Sequence, residues 1–233
     1  YGTESPTLDG DINLSLGYAD AYLLAKRIGG IAQELTSLYP TETTLNASLA
    51  LNGTMRHLRL TRCDISLPTA FDISLSGMAQ NITTPQQCVA QCRVEARTYN
   101  LDYLTALTDS AVRKHFRIPQ DMVLRGNINY APDTLHVHCS LGTNTGTTNL
   151  EAGYRTTNKA YELLVETDSL DLHQFIPNGE LGIITLRTHF IGNGTDYKNK
   201  NTSIQGSLHL RSMQWKGIFF TNVSVQTSLA DRN

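Results

Sequence analysis

Thr134-Leu135-His136-Val137-His138-Cys139-Ser140-Leu141 is the stretch whose reading decides the fold. Apolar residues fall at every second position, with His136, His138 and Ser140 between them. Successive side chains of an extended chain point to opposite faces, so this pattern makes a strand with one greasy and one wet face. Turn residues bracket it, Ala131-Pro132-Asp133 before and Gly142-Thr143-Asn144 after. Strands are therefore expected on both sides, near Met122–Tyr130 and Thr147–Tyr154.

The same alternation continues outward. Tyr161, Leu163 and Val165 oppose Glu162 and Glu166 in a strand near Ala160–Glu166, after a turn at Thr157-Asn158-Lys159. Further strands are predicted near Leu181–Ile191, Ser203–Trp215 and Gly217–Leu229, with turns at Gly192-Asn193-Gly194 and Lys216-Gly217. In the last of these, Val223 and Val225 oppose Asn222 and Ser224. Upstream, Leu45, Ala47, Leu49 and Leu51 share a face, Leu58 and Leu60 continue the pattern, and Phe71, Ile73 and Leu75 oppose Asp72 and Ser74. Thr84-Pro85-Gln86-Gln87 resembles a helix start, but Cys88, Ala90, Cys92, Val94 and Ala96 alternate with polar residues, and a strand is predicted there.

Two accessory helices are expected. One spans about 20–38, where Leu24, Ile28, Ile31, Leu35 and Leu38 form a stripe that Tyr39-Pro40 ends. The other spans about 101–116, with Asn100 as cap, Leu104, Leu107 and Ala111 on its stripe, and Pro119 as its stop. Residues 1–16 read as an extended lead-in broken by Pro6 and Gly10, and 17–233 as one β-rich unit. Two helices are few for so much apolar strand face. The expectation is a mainly β fold, a long antiparallel meander curled into a groove or folded as a sandwich or barrel-like sheet.

Composition narrows the function classes. Charged residues make up 17% of the 233, below the usual quarter, and Thr, Ser and Asn supply the polarity. Such a surface suits envelope, extracellular or virion proteins. A net charge of −2 argues against nucleic acid as a partner, because neutralising phosphates takes surplus Lys and Arg. No apolar run reaches the roughly 18–20 residues of a membrane-spanning helix, and an opening at Tyr1 reads as a processed or excised terminus. Sequons at Asn13, Asn46, Asn52, Asn81, Asn193, Asn201 and Asn222 exceed the roughly three expected by chance, though composition accounts for much of the excess.

Candidates for chemistry are thin. His136 and His138 share a strand face and are weak candidates for metal ligands, without a C-x₂-C or H-E-x-x-H spacing in support; no metal or other cofactor is expected. Gly142–Thr148 lacks the Lys and following helix of a phosphate loop. Glu151, Glu162, Glu166, Asp168 and Asp171 read as solvated acids, and no catalytic residue is assigned. Cys63, Cys88, Cys92 and Cys139 are disulfide candidates, with four reduced thiols the equal alternative. Cys88 and Cys92 pair poorly, being about 13 Å apart along a strand. The apolar sheet face of Leu135, Val137, Cys139, Leu141, Tyr161, Leu163, Val165, Val223 and Val225 is the one feature with a functional reading, either a closed core or a groove for lipid.

A longer progression carries a family resemblance. It runs from Met122-Val123-Leu124-Arg125-Gly126-Asn127-Ile128 through Asp133–Val137, Tyr161–Val165, Ser169–Leu172 and Leu181–Leu186. It continues with Gly192-Asn193-Gly194-Thr195-Asp196, Gly206–Leu210 and Phe220–Val225. This order of short alternating strands and glycines resembles the AsmA-like and TamB (translocation and assembly module) proteins of diderm bacterial envelopes. The similarity is clearest from about Leu101 onward and looser over Leu45–Ile82. The resemblance implies a non-enzymatic periplasmic segment of a larger, membrane-tethered protein. Its β-groove would carry phospholipid or another apolar ligand between membranes, or assist outer-membrane assembly proteins. Two other readings come from the residues themselves. Low charge and Thr/Asn-rich strands suit a self-associating virion or surface-layer subunit, and the histidines and acids an envelope hydrolase.

Overall fold

The computed structural model describes residues 6–20, 23, 27, 42–101, 115–194 and 202–229. They form one antiparallel sheet of twelve strands in which spatial order equals chain order. The strands are β1 (Thr7–Leu16), β2 (Leu45–Thr54), β3 (His57–Leu67), β4 (Phe71–Gln80), β5 (Val89–Thr98) and β6 (Val123–Ala131). After them come β7 (Thr134–Gly142), β8 (Thr147–Arg155), β9 (Ala160–Asp171), β10 (Leu181–Asn193), β11 (Ser203–Trp215) and β12 (Ile218–Leu229). The fold is thus the expected β meander. It is neither a barrel nor a sandwich, because β1 and β12 do not meet and every strand belongs to one open sheet.

Several boundaries differ from the sequence expectation. The lead-in 1–16 contains a strand, for β1 pairs with β2 over its whole length and Gly10 sits opposite Leu51. The turn expected at Gly192-Asn193-Gly194 starts later, since Gly192 and Asn193 pair within β10 with Tyr161 and Ala160 of β9. β9 runs past Glu166 to Asp171 because a bulge lets it continue. Ser169 takes φ 54°, its N–H donates to Thr185 Oγ1 at 3.0 Å, and Leu186 N–H donates to Thr167 Oγ1 at 3.1 Å. At 84–98 both signals are realised, as a 3-10 turn at Pro85–Gln87 leads into β5. Most of the expected helices 20–38 and 101–116 lies outside the described residues; Tyr18–Asp20, Leu23, Arg27 and His115 are helical.

Bulges keep one face apolar where the sequence parity changes. In β3 the apolar residues switch from Leu58 and Leu60 to Cys63, Ile65 and Leu67. Leu60 pairs with Gly77 and Cys63 with Leu75, so Thr61 and Arg62 together oppose the single residue Ser76. Without that extra residue, half of β3 would turn its apolar set to water.

Buried apolar residues are few among the described ones: Leu67 (2% exposed), Ala70 (1%), Leu170 (8%) and Leu210 (6%). They lie toward one end of the strands. There Tyr99 N–H donates to Ala70 O at 2.7 Å, and Arg117 N–H to Phe175 O at 2.7 Å, with the Phe116 and Phe175 rings 6.5 Å apart. No other layer covers the sheet among the described residues.

Candidate ligand-binding face

Directly opposed residues of an antiparallel pair point to the same face, so the register extends each strand's pattern across the sheet. One row reads Ile12, Leu49, Cys63, Leu75, Val94, Gly126, Cys139, Leu150, Val165, Thr188, Leu208 and Val225 from β1 to β12. Thr188 is its only polar member, and its hydroxyl donates to Ser207 O at 3.1 Å. Eleven strand spacings make this row about 50 Å long.

The nine apolar-face candidates fall in four such rows. Leu135 and Tyr161 share the first through Tyr154, and Val137 and Leu163 the second through Ala152. Cys139, Val165 and Val225 belong to the row above, and Leu141 and Val223 to the fourth through Thr148, Thr167, Leu186 and Leu210. Four rows at every second residue span about 20 Å along the strands. Much of this surface is open, with Ile12, Leu14, Ile128, Val223 and Val225 all exposed. Sequence reading missed the contribution of β1, where Leu8, Ile12, Leu14 and Leu16 alternate with Asp9, Asp11, Asn13 and Ser15.

Cys63, Cys92 and Cys139 lie on the apolar face, and all four cysteines are free thiols. Their strands, β3, β5 and β7, are two spacings or more apart, about 10 Å, beyond the Cα separation of about 7 Å that a disulfide tolerates. Cys88, just before β5, is likewise two strands from Cys63 and Cys139.

The opposite face carries the charge. Arg125 pairs with Glu95 at 2.9 Å, Arg187 with Glu166 at 3.0 Å, His138 with Glu151 at 3.3 Å and His189 with Glu162 at 2.7 Å. His136 faces Gly153, and a shallow depression of about 400 Å³ there is lined by His136, His138, Glu151 and Glu162. Among the described residues no group of three or more His, Cys, Asp or Glu side chains is placed to hold a metal ion. Asp171 accepts from His173 N–H at 3.0 Å, and Asp168 from Ser169 Oγ at 3.0 Å. The five acids are thus engaged in cross-strand pairs or turns and do not converge.

One acid is set apart electrostatically. Hydrogen bonds from Ser66 Oγ (2.5 Å) and Tyr99 Oη (2.6 Å) hold the Asp72 carboxyl below its ordinary value, with Arg97 adding to the effect. The same bond raises the Tyr99 phenol. This cluster ties the β3–β4 hairpin to the segment after β5, a structural task at the buried end of the sheet.

Among the described residues no helix is long and apolar enough to cross a membrane. Comparison with protein-family models, curated proteins and solved structures returns no match.

Proposed function

We propose that this chain is a non-enzymatic segment of an AsmA/TamB-like envelope protein, whose apolar β-face holds phospholipid acyl chains in the periplasm during transport between membranes or outer-membrane assembly. The observation that carries this reading is the unbroken apolar row from Ile12 to Val225 on a sheet that does not close. An ordinary core would bury these side chains against a second layer. Here each CH₂ of a lipid chain laid on the face would gain about 0.8 kcal/mol. Native mass spectrometry of protein purified from envelopes tests the proposal. Phospholipid retained in near-stoichiometric amount is expected; protein that stays lipid-free after exposure to phospholipid vesicles would overturn it.

The open edges favour a second reading. β1 and β12 each present an unpaired strand side among the described residues, and such edges template strand addition. A self-associating subunit would form large particles whose size grows with concentration in light scattering, whereas a monomer at all concentrations would exclude it.

A further inference from the structure

The apolar face differs at its two ends, and this inference rests on the phospholipid reading above. All four buried apolar residues lie toward the end of the strands that carries the β3–β4 and β9–β10 connections. At the other end Tyr130, Leu135 and Tyr154 are 37–38% exposed, and Tyr161 follows Tyr154 in the same row. No protein hydrogen bond engages the hydroxyls of Tyr130, Tyr154 or Tyr161, and Arg155 and Lys159, exposed beside them in the β8–β9 hairpin, make no ion pair. The nearest carboxylates are Asp133, in the adjoining turn, and Glu162, which His189 engages from the polar face. Thr202, the one buried residue at this end, belongs to the β10–β11 connection. The β11–β12 hairpin, with exposed Trp215 and Ile218, puts further apolar surface at the opposite end.

We infer that a phospholipid lies along β6–β9 with its phosphate at the Tyr154–Tyr161 hairpin and its acyl ends toward Leu170 and Leu210. Tyrosine suits a boundary between apolar and wet surroundings, with its ring on the chains and its hydroxyl toward the headgroup. Arg155 and Lys159 supply the cations a phosphate needs, Arg as a two-pronged donor and Lys as a point charge. The four rows span about 20 Å, enough for the roughly 15 Å depth of one leaflet's hydrocarbon. Entry and exit then take place at the tyrosine rim.

Trp215 is the sole tryptophan and lies at the acyl end, its ring 6.1 Å from that of Phe220. The full chain is loaded from vesicles of phosphatidylethanolamine containing phosphatidylcholine with a nitroxide either at the acyl terminus or on the headgroup, then repurified. The acyl-terminal nitroxide is expected to quench Trp215 more strongly than the headgroup nitroxide, with the ratio inverted in a Tyr154→Trp, Trp215→Phe variant. Arg155→Gln with Lys159→Gln should weaken phospholipid retention roughly tenfold and leave diacylglycerol retention unchanged. Equal quenching by the two probes at both positions, or equal losses for phospholipid and diacylglycerol, would overturn the fixed orientation while lipid binding stands. Absence of quenching at both positions, with no lipid retained, would remove the lipid reading as well.

Discussion

Tyr161 stands directly across from Gly192, and its phenol ring fills the space a Cβ at 192 would need. Phe190 does the same over Gly206, where an added Cβ would lie 2.5 Å from the ring. Aromatic rings thus cover glycines on the apolar face, keeping it level in two adjacent rows. Gly192→Ala should displace Tyr161 and destabilise the protein by about 1–3 kcal/mol, read as a lower denaturation midpoint. In a Tyr161→Ala background the same change should cost much less, because the ring it collides with is gone. Equal costs in both backgrounds would show that the ring does not set the requirement for glycine.

The two faces should answer differently to the same kind of change. Leu150→Asn puts an amide in the middle of the longest apolar row, where it finds apolar neighbours at Cys139 and Val165. It should reduce retained phospholipid markedly. Glu151→Gln, one residue along, loses only an exposed pair with His138 and should change stability by less than about 1 kcal/mol without altering lipid content. Equivalent effects of the two substitutions would count against a face-specific role.

Three cysteines on strands two spacings apart make a further outcome definite. Thiol titration of the unfolded chain should find all four free, with or without prior reduction. On the folded chain, Cys63, Cys92 and Cys139 should react more slowly with a water-soluble maleimide when phospholipid is loaded, while Cys88, outside the strands, should not change. A reduction-dependent increase in titratable thiols would mean that these strands approach one another more closely than the sheet allows.

Acid should loosen one end of the sheet first. The folded-state pKa of Asp72 is depressed by hydrogen bonds from Ser66 and Tyr99. Its contribution is therefore fully present above the unfolded carboxyl value near 3.9 and is lost as pH falls through the lower folded value. Asp72→Asn should reduce stability at neutral pH and flatten the acid limb of the stability profile. A variant whose acid limb coincides with that of the parent would assign the acid sensitivity to other carboxyls.

What could be read from the residues follows from the period of two. Wherever apolar and polar positions alternate without interruption, as in β5, β7 and β8, the strand and its greasy face were legible together. The pattern in β1 was equally clear from Leu8 to Leu16, but Gly10 and the preceding Pro6 resemble breakers, and only the pairing of Gly10 with Leu51 reveals a strand. The end of β9 was hidden for another reason. Glu166–Ser169 is polar enough to be a turn, and its continuation depends on side-chain hydrogen bonds from Thr185 and Thr167. Whether the sheet closes was beyond the sequence, since identical alternation serves a barrel and an open sheet. The difference lies in whether β1 finds β12.

Thr61 offers the sharpest test of how register protects the apolar face. Its hydroxyl donates to Ala50 O at 3.0 Å, and with Arg62 it makes the two-against-one step opposite Ser76. Thr61→Ala removes one hydrogen bond and should cost about 1 kcal/mol. Deleting Thr61 restores unbroken alternation and, with the rest of the sheet in place, forces Leu58 and Leu60 or Cys63, Ile65 and Leu67 onto the polar face. Exposing two or three such side chains at about 1.5–3 kcal/mol each exceeds the effect of the substitution several times over. The deletion should therefore yield a chain with a broadened unfolding transition and new binding of an apolar dye. A deletion no more harmful than Thr61→Ala would show that β3 can slide in register, and that the apolar row through Cys63 is not held by the bulge.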